Sequence, residues 1–280
     1  VEPVSEPPAR NSPVALVVGA GDALGGAIAR RFAHEGYVTA VARRSAEKLQ
    51  PLVAAIEAAG GRALPFGADA RREEEIVALF ERIEREVGPI EVAVFNIGGN
   101  VRFGIVETTA RVYAKVWEMA CFAGFLTGRE AAKVMLPRGR GTILFTGATA
   151  SLRGGAGFSA FAGAKHGLRA LAQSMARELG PQNIHVAHVV VDGAIDTEFI
   201  RTRFPGAARA EGRGRDTESG RHRGELLAPP PPTAQRMDLR DGSEAVPRAV
   251  VRRPAGGGSA PVRSGPAATP PSLPPPSRAP

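Results

Sequence analysis

One cysteine, Cys121, stands in 280 residues, so neither an intrachain disulfide nor a multi-cysteine metal site is available. No metal is expected, and this cysteine usage fits a reducing cytoplasm. No apolar run approaches the roughly 18 residues that a membrane span needs, so no membrane partner is expected. Aromatics are scarce at 5%, with one tryptophan and two tyrosines. No basic stripe interleaved with aromatics marks a nucleic-acid surface, so nucleic acid is set aside as a partner. Residues 1–13 lack the apolar core of a signal peptide and read, from their Pro, Glu and Ser, as a disordered lead. The initial valine suggests a fragment or an alternative start codon.

The net charge of +8 is not spread evenly. Residues 205–280 hold twelve Arg against seven acidic residues, which is +5 of the +8, and fifteen of the 24 prolines. The chain before them is close to neutral. It is there that hydrophobic periodicity is found.

Val14–Val18 is an apolar run that ends in glycines, followed by a helical pattern through Leu24, Ile28 and Phe32 that stops at Gly36. The alternation repeats with strands at Tyr37–Ala42, Ala63–Phe66, Glu91–Asn96, Gly141–Thr146 and Ile184–Val191. Between them lie helical patterns at Ala46–Ala59, Arg72–Val87, about Thr109–Met135 and about Phe158–Leu179. Apolar strands separated by helices, without hairpin turns, predict an α/β fold: a doubly wound parallel sheet with helices on both faces. Such sheets bind ligands beyond the carboxyl ends of their strands, and the candidate residues lie there.

Gly19-Ala20-Gly21-Asp22-Ala23-Leu24-Gly25-Gly26 fills the first strand-to-helix turn. A Cβ there would obstruct both the tight turn and the approach of backbone amides to a pyrophosphate at the helix N-terminus. The turn resembles the Thr-Gly-x-x-x-Gly-x-Gly fingerprint of the short-chain dehydrogenase/reductase family, with Gly19 and Gly25 in the outer glycine places, Val18 for the threonine and Ala23 for the middle glycine. Asp69, followed by Ala70, resembles the family's adenine-contacting aspartate. Phe95-Asn96-Ile97-Gly98 resembles its Asn-Asn-Ala-Gly, and the segment from Asp192 and Gly193 to Thr197 resembles the Pro-Gly-x-x-x-Thr that flanks the nicotinamide. The resemblance spans about Val14 to Arg203 and implies a Rossmann-type domain, taken as residues 14–204. It implies cofactor contacts from Gly19, Gly21, Asp22, Leu24, Gly25, Asp69, Ala70, Asn96, Gly98, Lys165, Gly193 and Thr197.

The second strand runs into Arg43-Arg44 rather than a carboxylate. A carboxylate in that place accepts from ribose hydroxyls, whereas a guanidinium makes paired, charge-assisted bonds to a 2′-phosphate. Arg43 is therefore assigned to the cofactor, and NADP(H) is expected ahead of NAD(H).

The family's chemistry is direct hydride transfer between a carbonyl and an alcohol, carried by Asn, Ser, Tyr and Lys. Phe161-Ala-Gly-Ala-Lys165 matches the Tyr-x-x-x-Lys spacing, but Phe161 has no hydroxyl to pass a proton. Ala148 stands in the serine place and Cys121 in the asparagine place, so only Lys165 is kept. A positioned acid is worth about 10²–10⁴ in rate, and ordinary carbonyl reduction is expected to suffer accordingly. Two readings follow. In one the chain is an NADP(H)-dependent oxidoreductase of a small-molecule carbonyl/alcohol pair that draws on Thr149, Ser159 or His166. In the other it is a non-catalytic nucleotide-binding protein, a sensor or partner subunit. Cys121 as a packed helix residue is preferred to Cys121 as a nucleophile. His185 and His188 lie three apart on a strand, hence on opposite faces, and do not share a metal.

After Phe204 periodicity stops. Residues 205–280 read as a disordered Pro/Arg/Gly-rich tail. They also admit another reading, an out-of-frame translation that begins between Pro205 and about Gly212. Read one nucleotide later, synonymous codons for Arg221 to Val246 allow an aromatic amphipathic helix and an alternating strand, and Met237-Asp238 must then contain a tryptophan codon. The family resemblance implies a homo-oligomer, which a chain without its last edge strand calls into question.

Overall fold

In the computed structural model, which describes residues 12–192, the β-branched run Val14–Val18 forms β1 with every residue buried. β2 (Val38–Arg43), β3 (Arg62–Gly67), β4 (Ile90–Phe95), β5 (Gly141–Ala148) and β6 (Ile184–Val191) join it. The order is β3-β2-β1-β4-β5-β6 and every pairing is parallel, as the alternating pattern predicts. β3 is an edge strand and carries Pro65, which a sheet tolerates best at an edge.

Each helix turns one apolar stripe to the sheet. α1 (Leu24–His34) and α2 (Gln50–Ala58) cover one face through Ile28, Phe32, Leu52 and Ile56. Another set, α3 (Glu73–Glu86), α5 (Ala123–Met135) and α6 (Ser159–Leu179), covers the opposite face through Ile76, Phe80, Leu126 and Leu168. The doubly wound architecture follows.

Two expected helices are divided. The pattern at Ala46–Ala59 opens with a 3₁₀ turn, Ala46–Leu49, before Pro51 starts α2 in the position where its missing N–H costs nothing. The single helix expected over Thr109–Met135 is three pieces. α4 (Ala110–Trp117) is capped by Thr109 Oγ1, which accepts from Val112 N at 3.2 Å. A π-helical turn, Glu118–Phe122, then leads into α5. One wide turn leaves the hydrophobic period nearly unchanged, so the sequence pattern reads straight through it.

The registers set the rim of the site. Val18 pairs with Ala42 and with Phe95, so Gly19, Arg43 and Asn96 leave their strands at one level. β5 runs further than the expected Thr146. Its residues Thr146, Gly147 and Ala148 pair only with Val189, Val190 and Val191 of β6, and this two-stranded wall projects past β4. Among the described residues no helix is long and apolar enough to cross a membrane, and no group of three potential metal ligands occurs. The readings for residues 1–11, for Gly193 and Thr197, and for the tail from 205 lie outside the described residues.

Candidate active site at the carboxyl ends of the strands

The strand order reverses between β1 and β4, which opens a crevice at their carboxyl ends. Gly19 enters it with φ +91°, a conformation that a Cβ disfavours. Its amide and that of Ala20 donate to Ala42 O at 2.9 and 3.1 Å, so neither is left for a ligand. Asn96 closes the far side: its amide donates to Val18 O at 2.8 Å and its Nδ2 to Gly19 O at 3.2 Å.

The other glycines differ in what they are for. A Cβ on Gly25 would lie 2.5 Å from Gly19 O, and one on Gly26 only 2.0 Å from Gly21 O, both backbone atoms. These two let α1 start hard against the turn. A Cβ on Gly21 or Gly98 would meet nothing within 4 Å, so these positions border open space. Asp22 is exposed and Leu24 buried. No side chain caps α1 and its first turn holds no acid, which leaves its leading amides as an anion site. The sequence motif gives Gly26 no role in cofactor binding. The tightest contact of the turn is nevertheless its own.

At the other end of the crevice Arg43 is half-buried at the tip of β2 and Arg44 is exposed. The nearest following carboxylate, Glu47, takes the Ser45 hydroxyl at 2.7 Å. Asp69 is engaged by Arg71, whose Nε and Nη2 reach its two oxygens at 2.8 and 2.5 Å and whose amide adds a bond at 3.2 Å. Those bonds, outweighing burial and helped by the Arg44 charge, lower the Asp69 carboxyl to about 2. Glu75 accepts from the Asp69 amide at 2.7 Å, and Ala70 is buried. The role of Arg71 has no sequence signal beyond its proximity to Asp69.

Phe161 and Lys165 lie one turn apart on α6, both buried. Phe161 and Cys121, with Ala148 at their margin, belong to one apolar cluster that also contains Val116 and Ala164. The three positions where the resemblance looks for polar groups are thus gathered in space, and the cluster they make is apolar. Cys121 sits in the π-helical turn, and Gly167 gives it room: a Cβ there would be 2.9 Å from Sγ. Burial raises the Cys121 thiol above its ordinary range, although Lys165 pulls it partly back. Its thiol form therefore prevails, as expected of a packed residue.

Lys165 is 3% exposed, and its Nζ donates to Thr146 O at 2.7 Å and Ile97 O at 3.1 Å. It thereby ties the ends of β4 and β5 to α6. Burial lowers the ammonium to about 8, against the opposing influence of Cys121.

The hydroxyl candidates are placed less favourably. Thr149 Oγ1 donates to Asp192 Oδ1 at 2.5 Å, a partner that the sequence did not suggest. Ser159 begins α6, its Oγ buried with no hydrogen-bond partner. His166 is exposed and bonded to Ala162 O at 2.9 Å, turned away from Lys165. His188 lies beneath the site: a Cβ on Gly147 would meet its ring at 2.2 Å. Burial, then the charges of Lys165 and Arg169, depress the imidazole to about 4, so it is neutral at physiological pH. Burial also lowers His185, which is on the other face of β6.

Known proteins resemble this chain in sequence and fold. The short chain dehydrogenase family matches residues 13–207. A 3-oxoacyl-[acyl-carrier-protein] reductase of Mus musculus is 30% identical over 67% of this chain and 78% of its own. The crystal structure of a short-chain dehydrogenase from Rhodopseudomonas palustris is 54% identical, with a TM-score of 0.63 over 74% of this chain and 94% of that one. An actinorhodin polyketide ketoreductase solved with NADPH is 26% identical, with a TM-score of 0.72 over 78% and 90%.

Proposed function

The chain belongs to the short-chain dehydrogenase family, and on that premise we propose that it is an NADP(H)-dependent oxidoreductase of a carbonyl/alcohol pair whose proton-transfer groups depart from the family pattern. The observation that carries this reading is the crevice between β1 and β4. There Gly21 and Gly98 border open space beside an uncapped helix N-terminus, and Arg43 stands where an NAD-binding chain needs a carboxylate.

The residues fit a dinucleotide. The leading amides of α1 would meet the pyrophosphate, Arg43 and exposed Arg44 the 2′-phosphate, and Asp69 the adenine edge. Asp69 is ionised throughout the physiological range, and Arg71 leaves its carboxylate with spare acceptor capacity. The bound nicotinamide would supply the hydride. Lys165, fixed by two carbonyls, retains one N–H for the nicotinamide ribose or the substrate. The apolar cluster around Phe161 and Ala148 excludes water and favours a substrate whose carbonyl is flanked by apolar groups.

Titration of the protein with NADPH and NADH, followed by turnover on a panel of aldehydes and ketones, tests this. Tighter binding of NADPH with measurable reduction is expected. A preference for NADH would refute the Arg43 assignment, and NADPH binding without any turnover would leave a nucleotide-binding protein in place of an enzyme.

A further inference from the structure

Reduction of a carbonyl needs a proton as well as a hydride, and the described residues offer few sources. The two tyrosines stand elsewhere: Tyr37 packs on Phe32 at the opposite end of β2, and the Tyr113 hydroxyl lies over Gly163 on another side of α6. Thr149 has committed its hydrogen to Asp192. Ser151 is fully buried and accepts from the Ala148 amide at 3.0 Å. Ser159 and Thr146 carry buried hydroxyls without partners, but an alcohol is too weak an acid to act alone. His188 holds no proton to spare near neutrality, and the Cys121 thiol is packed among apolar side chains.

Lys165 is different. An ammonium has three N–H donors, and two are taken, by Thr146 O and Ile97 O. The third is uncommitted, and among the described residues Lys165 is the one buried cation, joining the ends of β4, β5 and α6. We propose that Lys165 is itself the proton donor of this site, giving its third N–H to the substrate oxygen. The inference rests on the oxidoreductase reading above. A bound nicotinamide would supply the hydride for the new C–H bond, and the carbonyl π electrons would move to oxygen. That oxygen takes the Lys165 proton, leaving an alcohol, a neutral amine and an oxidised nicotinamide. The amine regains its proton from water when product leaves.

The surroundings suit the role. Burial has already weakened the ammonium, so it releases a proton at physiological pH far more readily than an exposed lysine. The titratable groups coupled to it are the Cys121 thiol from the π-helical turn and neutral His188 from β6, on which the Arg169 charge of α6 also acts. Neither the thiol nor the imidazole changes charge between pH 6 and the region near 8, so a loss of rate as pH rises through that region belongs to Lys165.

The test compares wild type, Lys165→Arg and Lys165→Met, each also in a Phe161→Tyr background, with 9,10-phenanthrenequinone and activated aldehydes as probes. Three readouts are taken: NADPH affinity, kcat against pH, and the NMR titration of the Lys165 amine in the presence of NADP⁺. Wild type is expected to lose kcat as pH rises through about 8, in step with the amine titration. Lys165→Arg keeps the charge but cannot release a proton. It should bind NADPH within a few-fold of wild type yet lose roughly 10²-fold or more in kcat, and regain turnover when Tyr replaces Phe161. Full activity in Lys165→Arg, or a flat profile while the amine titrates, would overturn the proposal and leave the oxidoreductase reading intact. NADPH binding with no turnover of any probe would overturn both, and absent NADPH binding would remove the nucleotide reading itself.

Discussion

The crevice between β1 and β4 and the cluster between α6 and the π-helical turn lie on the same rim and are built by opposite means. The crevice is made of backbone: glycines that admit close approach, an uncapped helix start, and Asn96 bridging two strands. The cluster is made of side chains, and its substitutions agree with one another. Where polar groups are expected, Phe161, Ala148 and Cys121 share one apolar surface, with Lys165 as the buried charge beside them. Thr146, Ser159 and His188 keep buried polar atoms without partners nearby. Here the expected polar set is exchanged as a group, and one cation remains hydrogen-bonded. The nucleotide end and the proton end of a single site can therefore diverge independently.

The strongest break should come from Gly25→Val, which drives a side chain into the Gly19 carbonyl. A loss of about 1–3 kcal/mol in stability, read by thermal unfolding, is expected together with loss of NADPH binding. Acid should separate the other end. His188 has its proton affinity depressed from 6.5 to about 4, so the unfolded chain binds the proton more tightly across that interval. Stability from this group is complete above 6.5 and falls by about 3 kcal/mol on acidification to 4. Denaturant unfolding of His188→Gln should show that part of the acid loss removed, with NADPH affinity unchanged at pH 7.

Arg43→Ala sharpens the comparison from the cofactor side. Removal of charge-assisted bonds should weaken NADPH by about 10–100-fold and leave NADH nearly unaffected, as measured by fluorescence titration. The mildest effect on the fold is expected from Gly21→Val. Its Cβ would meet no protein atom within 4 Å, so the melting temperature should hold. The same side chain would enter the space assigned to the nucleotide, and NADPH should bind about tenfold more weakly, roughly 1.4 kcal/mol.

The strands and their parallel pairing were legible because valine-rich apolar runs such as Val14–Val18 and Ile184–Val191 alternate with long amphipathic patterns, whereas the strand order was not. The glycine turn was legible because its residue type is dictated by backbone geometry. The division of the helix at Glu118–Phe122 was not, since one wide turn barely shifts a 3.6-residue period. Nor were Thr149 with Asp192, Asp69 held by Arg71, or His188 over Gly147. In the first and last of these, distant segments meet by strand register. In Arg71 a local side chain chooses one of several partners, and periodicity carries information on neither.

Whether the two ends are separable is measured most directly by Phe161→Tyr with Ala148→Ser, with NADPH affinity and kcat read on one preparation. Restoring the hydroxyls should leave NADPH affinity within a few-fold of wild type and raise kcat by roughly 10²-fold or more. An unchanged kcat, or a change in affinity as large as that in rate, would contradict that separability.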